Sequence, residues 1–150
     1  MQYWHMQMHP TGEMKEFAPN IEAILEHKKI IGLGKWETGR GEDTIAKFIN
    51  DMSVNDIVAI KRGGELVALV QIIGGAYTVS NDTDPKTGWI INRRPIRVLD
   101  WAIEPKEVPQ AHSPTVVKCV DEDAKTNKII REWHEQVIES FKKRAIGLTV

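Results

Sequence analysis

The residues here that could do chemistry fall into four sets, and each must be weighed by type and spacing. The first is the glycine-rich stretch GLGKWETG, residues 32–39. A nucleoside-triphosphate loop needs a Ser or Thr directly after its Gly-Lys, because that hydroxyl holds Mg²⁺ while the Lys serves the phosphates. Here Trp36 follows Gly34-Lys35. The dinucleotide fingerprint Gly-x-Gly-x-x-Gly starts well at Gly32 and Gly34 but meets Glu37 where its third glycine belongs. The second set is His5 and His9. A spacing of four aligns side chains on a helix but not on a strand, and with Cys119 the only cysteine no structural zinc cluster can be assembled. The third set is Cys119 with His112, which has no nucleophile-turn signature around it. Cys119 stands in TVVKCV, where it reads as an inward-packed strand residue. Asp121, Glu122 and Asp123 read as a solvated run before a helix. From these sets no enzyme, metal or cofactor is expected.

The fourth set is aromatic. The chain has five tryptophans in 150 residues. Trp133 lies on the apolar stripe of a helix, Trp101 ends a strand, and Trp4 stands in one; packing explains the first two, and Trp4 could face either way. Trp36 and Trp89 differ, since each stands in a glycine-bearing loop with a Lys within three residues. Loops run over the surface and carry function. Two indoles presented by two loops can stack a flat ring from both sides while a basic rim holds the adjoining phosphates. That is how proteins take an unstacked or flipped base, at about 1–3 kcal/mol per stacked base. A methyl on that base would add roughly 0.8 kcal/mol in a dry cage.

Composition sets the bounds on such a site. The chain is 41% hydrophobic and 27% charged, with a formal net charge of −1. That suits one domain, and no global field demands a nucleic acid or a membrane. Charge is uneven, however. Lys86, Arg93, Arg94 and Arg97 fall in an interval without acids, so a local basic face is available. A single cysteine fits a reducing compartment, and no apolar run approaches ~20 residues, so a cytoplasmic protein away from membranes is expected.

The elements that must position these residues are legible in outline. QYWHMQM (2–8) reads as a strand. PNIEAILEHKK reads as a helix capped by Asn20, and KIIGLG leads into Trp36. Ile45, Phe48, Ile49 and Met52 fall on one face of a second helix. DIVAIKRGGELVALVQIIGG is a hairpin turning at Gly63-Gly64. Residues 76–89 read as a loop and RPIRVLDW as a strand. Residues 104–124 read as an irregular excursion with three prolines. The last element, 125–144, is a helix capped by Thr126 or Asn127, with Ile130, Trp133, Val137 and Phe141 as its stripe. The order indicates a single α+β domain, 1–150, around a small mixed sheet.

Several of these segments resemble the EVE and YTH branches of the PUA-like superfamily. MQYWHMQMHP is similar to the EVE-type opening strand with its Tyr-Trp. GKWETG resembles the YTH segment that supplies the first cage tryptophan, here Trp36. The hairpin IVAIKRGGELVALVQI, then Trp89, then RPIRVLDW follow in the YTH order, which implies structural roles for Asp100 and Trp101. The interval from Gly12 to Lys29 is longer than in the YTH pattern. The resemblance implies a curled mixed sheet or small barrel flanked by helices, and a reader of modified bases. Its cage would be Trp36 and Trp89, with Tyr77 or Trp4 as a third wall. Gln7, His9, Thr11 and Glu37 are candidates for the base edge, and Lys35, Arg40, Lys86, Arg93 and Arg94 for phosphates. The expected partner is DNA or RNA carrying a modified base, N6-methyladenine or 5-methylcytosine. Related domains also occur as target readers of McrBC-type modification-dependent restriction systems, so the resemblance also implies further domains or subunits of such a defence complex as partners. Three other readings stay open: an RNA-binding PUA-like protein, an enzyme or small-ligand ASCH-like domain with a nucleoside-sized pocket, and a module whose loop aromatics meet a protein.

Overall fold

A computed structural model describes residues 1–8, 19–34, 40–107 and 115–148, with the backbone alone at 40–42, 104–107 and 145–148. The described elements are β1 (Tyr3–Gln7), α1 (Asn20–Ala23, continued as a π-helical turn through Ile24–Lys28) and β2 (Ile30–Leu33). Next come α2 (Arg40–Ala46, continued likewise through Lys47–Asp51), β3 (Ile57–Arg62), β4 (Glu65–Ile72) and β5 (Tyr77–Thr78). The chain then forms β6 (Asn92–Glu107), β7 (Val116–Lys118) and α3 (Lys125–Leu148).

The hairpin is the nucleus of the sheet. Gly63 takes a φ of 62°, which a side chain would resist, and Arg62 and Glu65 pair on either side of the turn. Long β6 joins β4 antiparallel from Ile96 to Trp101 and pairs with β2 through Asn92–Pro95. On the other side of the hairpin, β1 lies parallel to β3 and β7 closes antiparallel against β1. The order β2-β6-β4-β3-β1-β7, with β5 beside β6, is one mixed sheet. Register shifts in β3/β4 and β4/β6 bend it, since each added residue steepens the local twist. The result is a curled half-barrel, and the fold is α+β as expected.

Strand alternation sends side chains to two cores. Trp4, Met6, Val58, Ile60, Val70 and Ile72 meet Ile21, Ile24 and Leu25 of α1, Phe48 of α2 and Met52 just past its end. The opposite face, with Ile57, Ala59 and Leu69, receives Ile130, Trp133 and Val137 of α3. Polar contacts fix that helix: Trp133 Nε1 donates to Asp100 at 2.7 Å, and the Tyr3 hydroxyl shares a 2.7 Å hydrogen bond with His134 Nδ1.

Local expectations fail in instructive places. Pro19, not Asn20, stands at the α1 N-cap, with no side-chain cap. Asn127 does not cap α3; it lies inside the first turn and donates to Asp121 O at 2.7 Å, tying the helix to the turn before it. Ile49 and Phe141 are partly exposed, so each stripe is narrower than the periodicity suggests. Strands β6 and β7 both reach into 104–124, where an irregular excursion was expected. Strand β6 runs through Pro105, which cannot donate to a ladder, and still pairs Lys106 and Glu107 with Leu66 and Glu65.

Candidate functional site

Strand β6 begins between two neighbours. Arg93 pairs with Gly32 of β2 on one side and Tyr77 of β5 on the other, and Asn92 pairs likewise with Leu33 and Thr78. The β2 side is unusually close: a Cβ on Gly32 would run into Asn92 O and Ile90 Cγ2, so only glycine fits. The approach continues at Gly34, where a Cβ would lie 3.3 Å from Trp89 O and 3.5 Å from Cε3 of the Trp89 ring. Asn92 Nδ2 also donates to Gly34 O at 3.4 Å. Trp89 therefore rests against the residue from which segment 35–39 departs.

The turn carrying Trp89 is built around Asp82. One carboxylate oxygen accepts from the Thr87 hydroxyl and the Arg93 guanidinium, both at 2.6 Å, and the other from Asp84 N–H at 2.9 Å. Thr87's hydrogen bond and then Arg93's hold the Asp82 carboxyl well below the usual carboxylate range. Asp84 repeats the device, accepting from Lys86 N–H through its side chain and from Gly88 N–H through its carbonyl. Trp89 Nε1 then donates to Lys86 O at 3.0 Å, which fixes the ring on its own turn. The ring is half-buried, packed on the main core along one side. Tyr77 and Lys86 are exposed.

Three assignments from sequence are corrected. Trp4 cannot be a cage wall: it is completely buried, and its indole donates to Asp56, a buried carboxylate that also accepts from Gln2 N–H and Ser53 N–H. Arg93 is no phosphate contact, because its guanidinium is consumed by Ile90 O, Thr87 O and Asp82 in a buried clamp on the Trp89 turn. Arg94, 3% exposed, donates to Phe48 O, Ile49 O, Met52 O and Gly74 O. It satisfies carbonyls that the end of α2 leaves open.

Gln7 ends β1 opposite Lys61, three strands from β6 in the sheet order. Trp36, Lys35, Glu37, His9 and Thr11 lie outside the described residues, as does the side chain of Arg40. Asp82, Thr87 and Asn92 were missed as supports. The signal was present in NDTDPKTG, where Asp-x-Asp before Pro and Gly marks successive side-chain-to-backbone turns.

Other chemistry-bearing groups sit elsewhere. His5 is buried beside Lys61, and burial, then that lysine, pushes its imidazole down to about 4. Burial lowers Lys61 to about 8 and pushes the Cys119 thiol up to about 12, the reverse of an activated nucleophile. Among the described residues no group of three or more His, Cys, Asp or Glu is placed to hold a metal ion. No helix among them is long and apolar enough to cross a membrane. A depression of about 700 Å³ beside α3 is lined by Glu132, Glu135 and Glu139 as well as Lys143 and Arg144, and no aromatic side chain is part of that lining.

No family model and no curated protein matches this chain. Solved structures that resemble it include a hypothetical protein from Leishmania major, 12% identical with a TM-score of 0.48, over 91% of this chain and 96% of the other. A protein from Agrobacterium tumefaciens is 14% identical with a TM-score of 0.47, over 88% and 92%. The YTH domain of the Zygosaccharomyces rouxii MRB1 protein, solved in complex with N6-methyladenosine RNA, is 8% identical with a TM-score of 0.41, over 95% and 84%. At these values each likeness concerns architecture alone.

Proposed function

We propose that this chain is a nucleic-acid-binding reader of PUA-like, EVE/YTH type that captures a modified base, methylated in the simplest case, between Trp89 and Trp36. One observation carries the reading: the Trp89 ring, held by its own turn, lies against Gly34. Covalent geometry keeps the Trp36 Cα within about 7 Å of the Gly34 Cα. An indole fixed by a clamp of hydrogen bonds, rather than by core packing on all sides, is pre-organised to stack a flat ring at little entropic cost. Tyr77, two strand spacings from β2 across β6, is the remaining candidate for a third wall. A role as the target-reading part of a restriction or defence complex fits such a reader.

The test is equilibrium binding of oligonucleotides carrying N6-methyladenine, 5-methylcytosine or no modification, in DNA and RNA. Wild type should prefer one modified form, and Trp36→Ala and Trp89→Ala should each remove the preference. Equal affinity for all forms, unchanged in both variants, would sink the reading.

A further inference from the structure

A cavity of about 130 Å³ opens between the Trp89 turn and α1. Its wall includes His27 and Lys28 from the end of that helix, and Asp84, Lys86 and Thr87 from the turn. We infer that this cavity is a phosphate-binding subsite, which receives a phosphate of the nucleotide strand whose base stacks on Trp89. The inference rests on the proposed function for the identity of the ligand, and on the cavity itself for the chemistry.

Three observations support it. The cavity holds roughly four waters' worth of liquid, enough for a phosphate group. Two of its lining residues, Lys28 and Lys86, are cationic, against one carboxylate. That carboxylate is already engaged, since Asp84 Oδ1 accepts from Lys86 N–H at 2.9 Å and Oδ2 faces Lys28 Nζ at 3.5 Å. The Lys28–Asp84 pair is long and half-exposed, a kind that contributes little, so Lys28 can turn to a phosphate oxygen at small cost. The link to the base site is covalent and short: Lys86 is a lining residue of the cavity, and its carbonyl accepts from Trp89 Nε1 at 3.0 Å. Phosphate and base would be read by one turn. Lys28, which no sequence motif marks, would supply charge that Arg93 and Arg94 cannot.

The test uses wild type, Lys28→Gln and Lys86→Gln with three probes: a modified nucleoside, its 5′-monophosphate and an oligonucleotide containing it. Each substitution should weaken oligonucleotide binding by about tenfold near 50 mM salt and lower the slope of log K against log salt by about 1. Nucleoside binding, followed by tryptophan fluorescence, should not change. A monophosphate that binds more tightly than the nucleoside, and loses that gain in both variants, assigns the cavity to the nucleotide's own phosphate. A gain seen only with polymer assigns it to a neighbouring one. Lys86→Gln breaks no ion pair with Asp84, so it remains decisive if Lys28→Gln unsettles the turn. Oligonucleotide affinity and salt slope unchanged in Lys86→Gln would overturn the subsite while leaving base capture intact. Salt-sensitive binding that falls in both variants but ignores base modification would keep the subsite and overturn base capture.

Discussion

Replacing Arg94 separates a structural cation from a nucleic-acid contact. Its guanidinium donates to four backbone carbonyls, three of them within 2.9 Å, and only 3% of the residue is exposed. Hydrogen bonds to a buried charged group contribute about 1.5–3 kcal/mol each before the cost of stripping water from the cation. Most of that gross sum is cancelled by desolvation. Removal of one partner from a buried charged network nevertheless costs about 3–5 kcal/mol, because the other groups stay buried and unpaired. Arg94→Met keeps the volume of the stem and deletes the donors, leaving Phe48, Ile49, Met52 and Gly74 with open carbonyls. A loss of about 4 kcal/mol, with a urea m-value of about 2 kcal/mol/M for a chain of this size, moves the unfolding midpoint down by about 2 M. The assay is urea unfolding followed by tryptophan fluorescence, paired with the salt slope of oligonucleotide binding at low denaturant. The expected pattern is a large midpoint shift with an unchanged slope. A shift below about 0.5 M together with a lost phosphate contact would refute the reasoning and restore the sequence assignment.

Three further outcomes follow from the geometry. Gly32→Ala should cost at least about 1–3 kcal/mol in urea unfolding, since the added methyl overlaps Asn92 O and Ile90 Cγ2 and must push β2 from β6; a neutral change would show that the two strands are not so close. Trp4→Phe should cost about 1–3 kcal/mol by leaving one oxygen of Asp56 without its indole donor, read from the same curves. For His5, burial holds the folded imidazole at about 4 against an ordinary 6.5, so between those values the unfolded chain binds more protons. Stability should therefore rise with pH from about 4 to 6.5, by up to about 3 kcal/mol, and His5→Leu should lose most of that rise, keeping only the smaller same-sign contribution of His134 and, near pH 4, that of Asp82. An equal slope in wild type and variant would remove His5 from that account.

The parts of the fold legible in sequence are those written locally. Gly63-Gly64 between two β-rich runs marks the hairpin, and the spacing of Phe48 and Met52 marks the inner face of α2, because turn chemistry and periodicity act over a few residues. What was misread depends on partners far along the chain. Arg94 answers carbonyls 42 to 46 residues earlier, and Trp4 finds Asp56 52 residues later. A sequence shows that a residue carries charge or a donor, but not what waits for it, so two buried arginines looked like a basic rim. The candidate site divides the same way. Trp89 stands out by its loop, whereas its seat on Gly34 arises from the pairing of β2 with β6, which connects residues some sixty positions apart.

The central claim is that Trp89 and Trp36 face each other across a slot for one base. The separation of their rings in a crystal structure with a modified oligonucleotide tests it most directly. The account predicts two near-parallel indoles about 7 Å apart, two stacking distances, with the modified base between them. Trp36 packed into the core, or a base bound elsewhere with Trp89 uncovered, would contradict it.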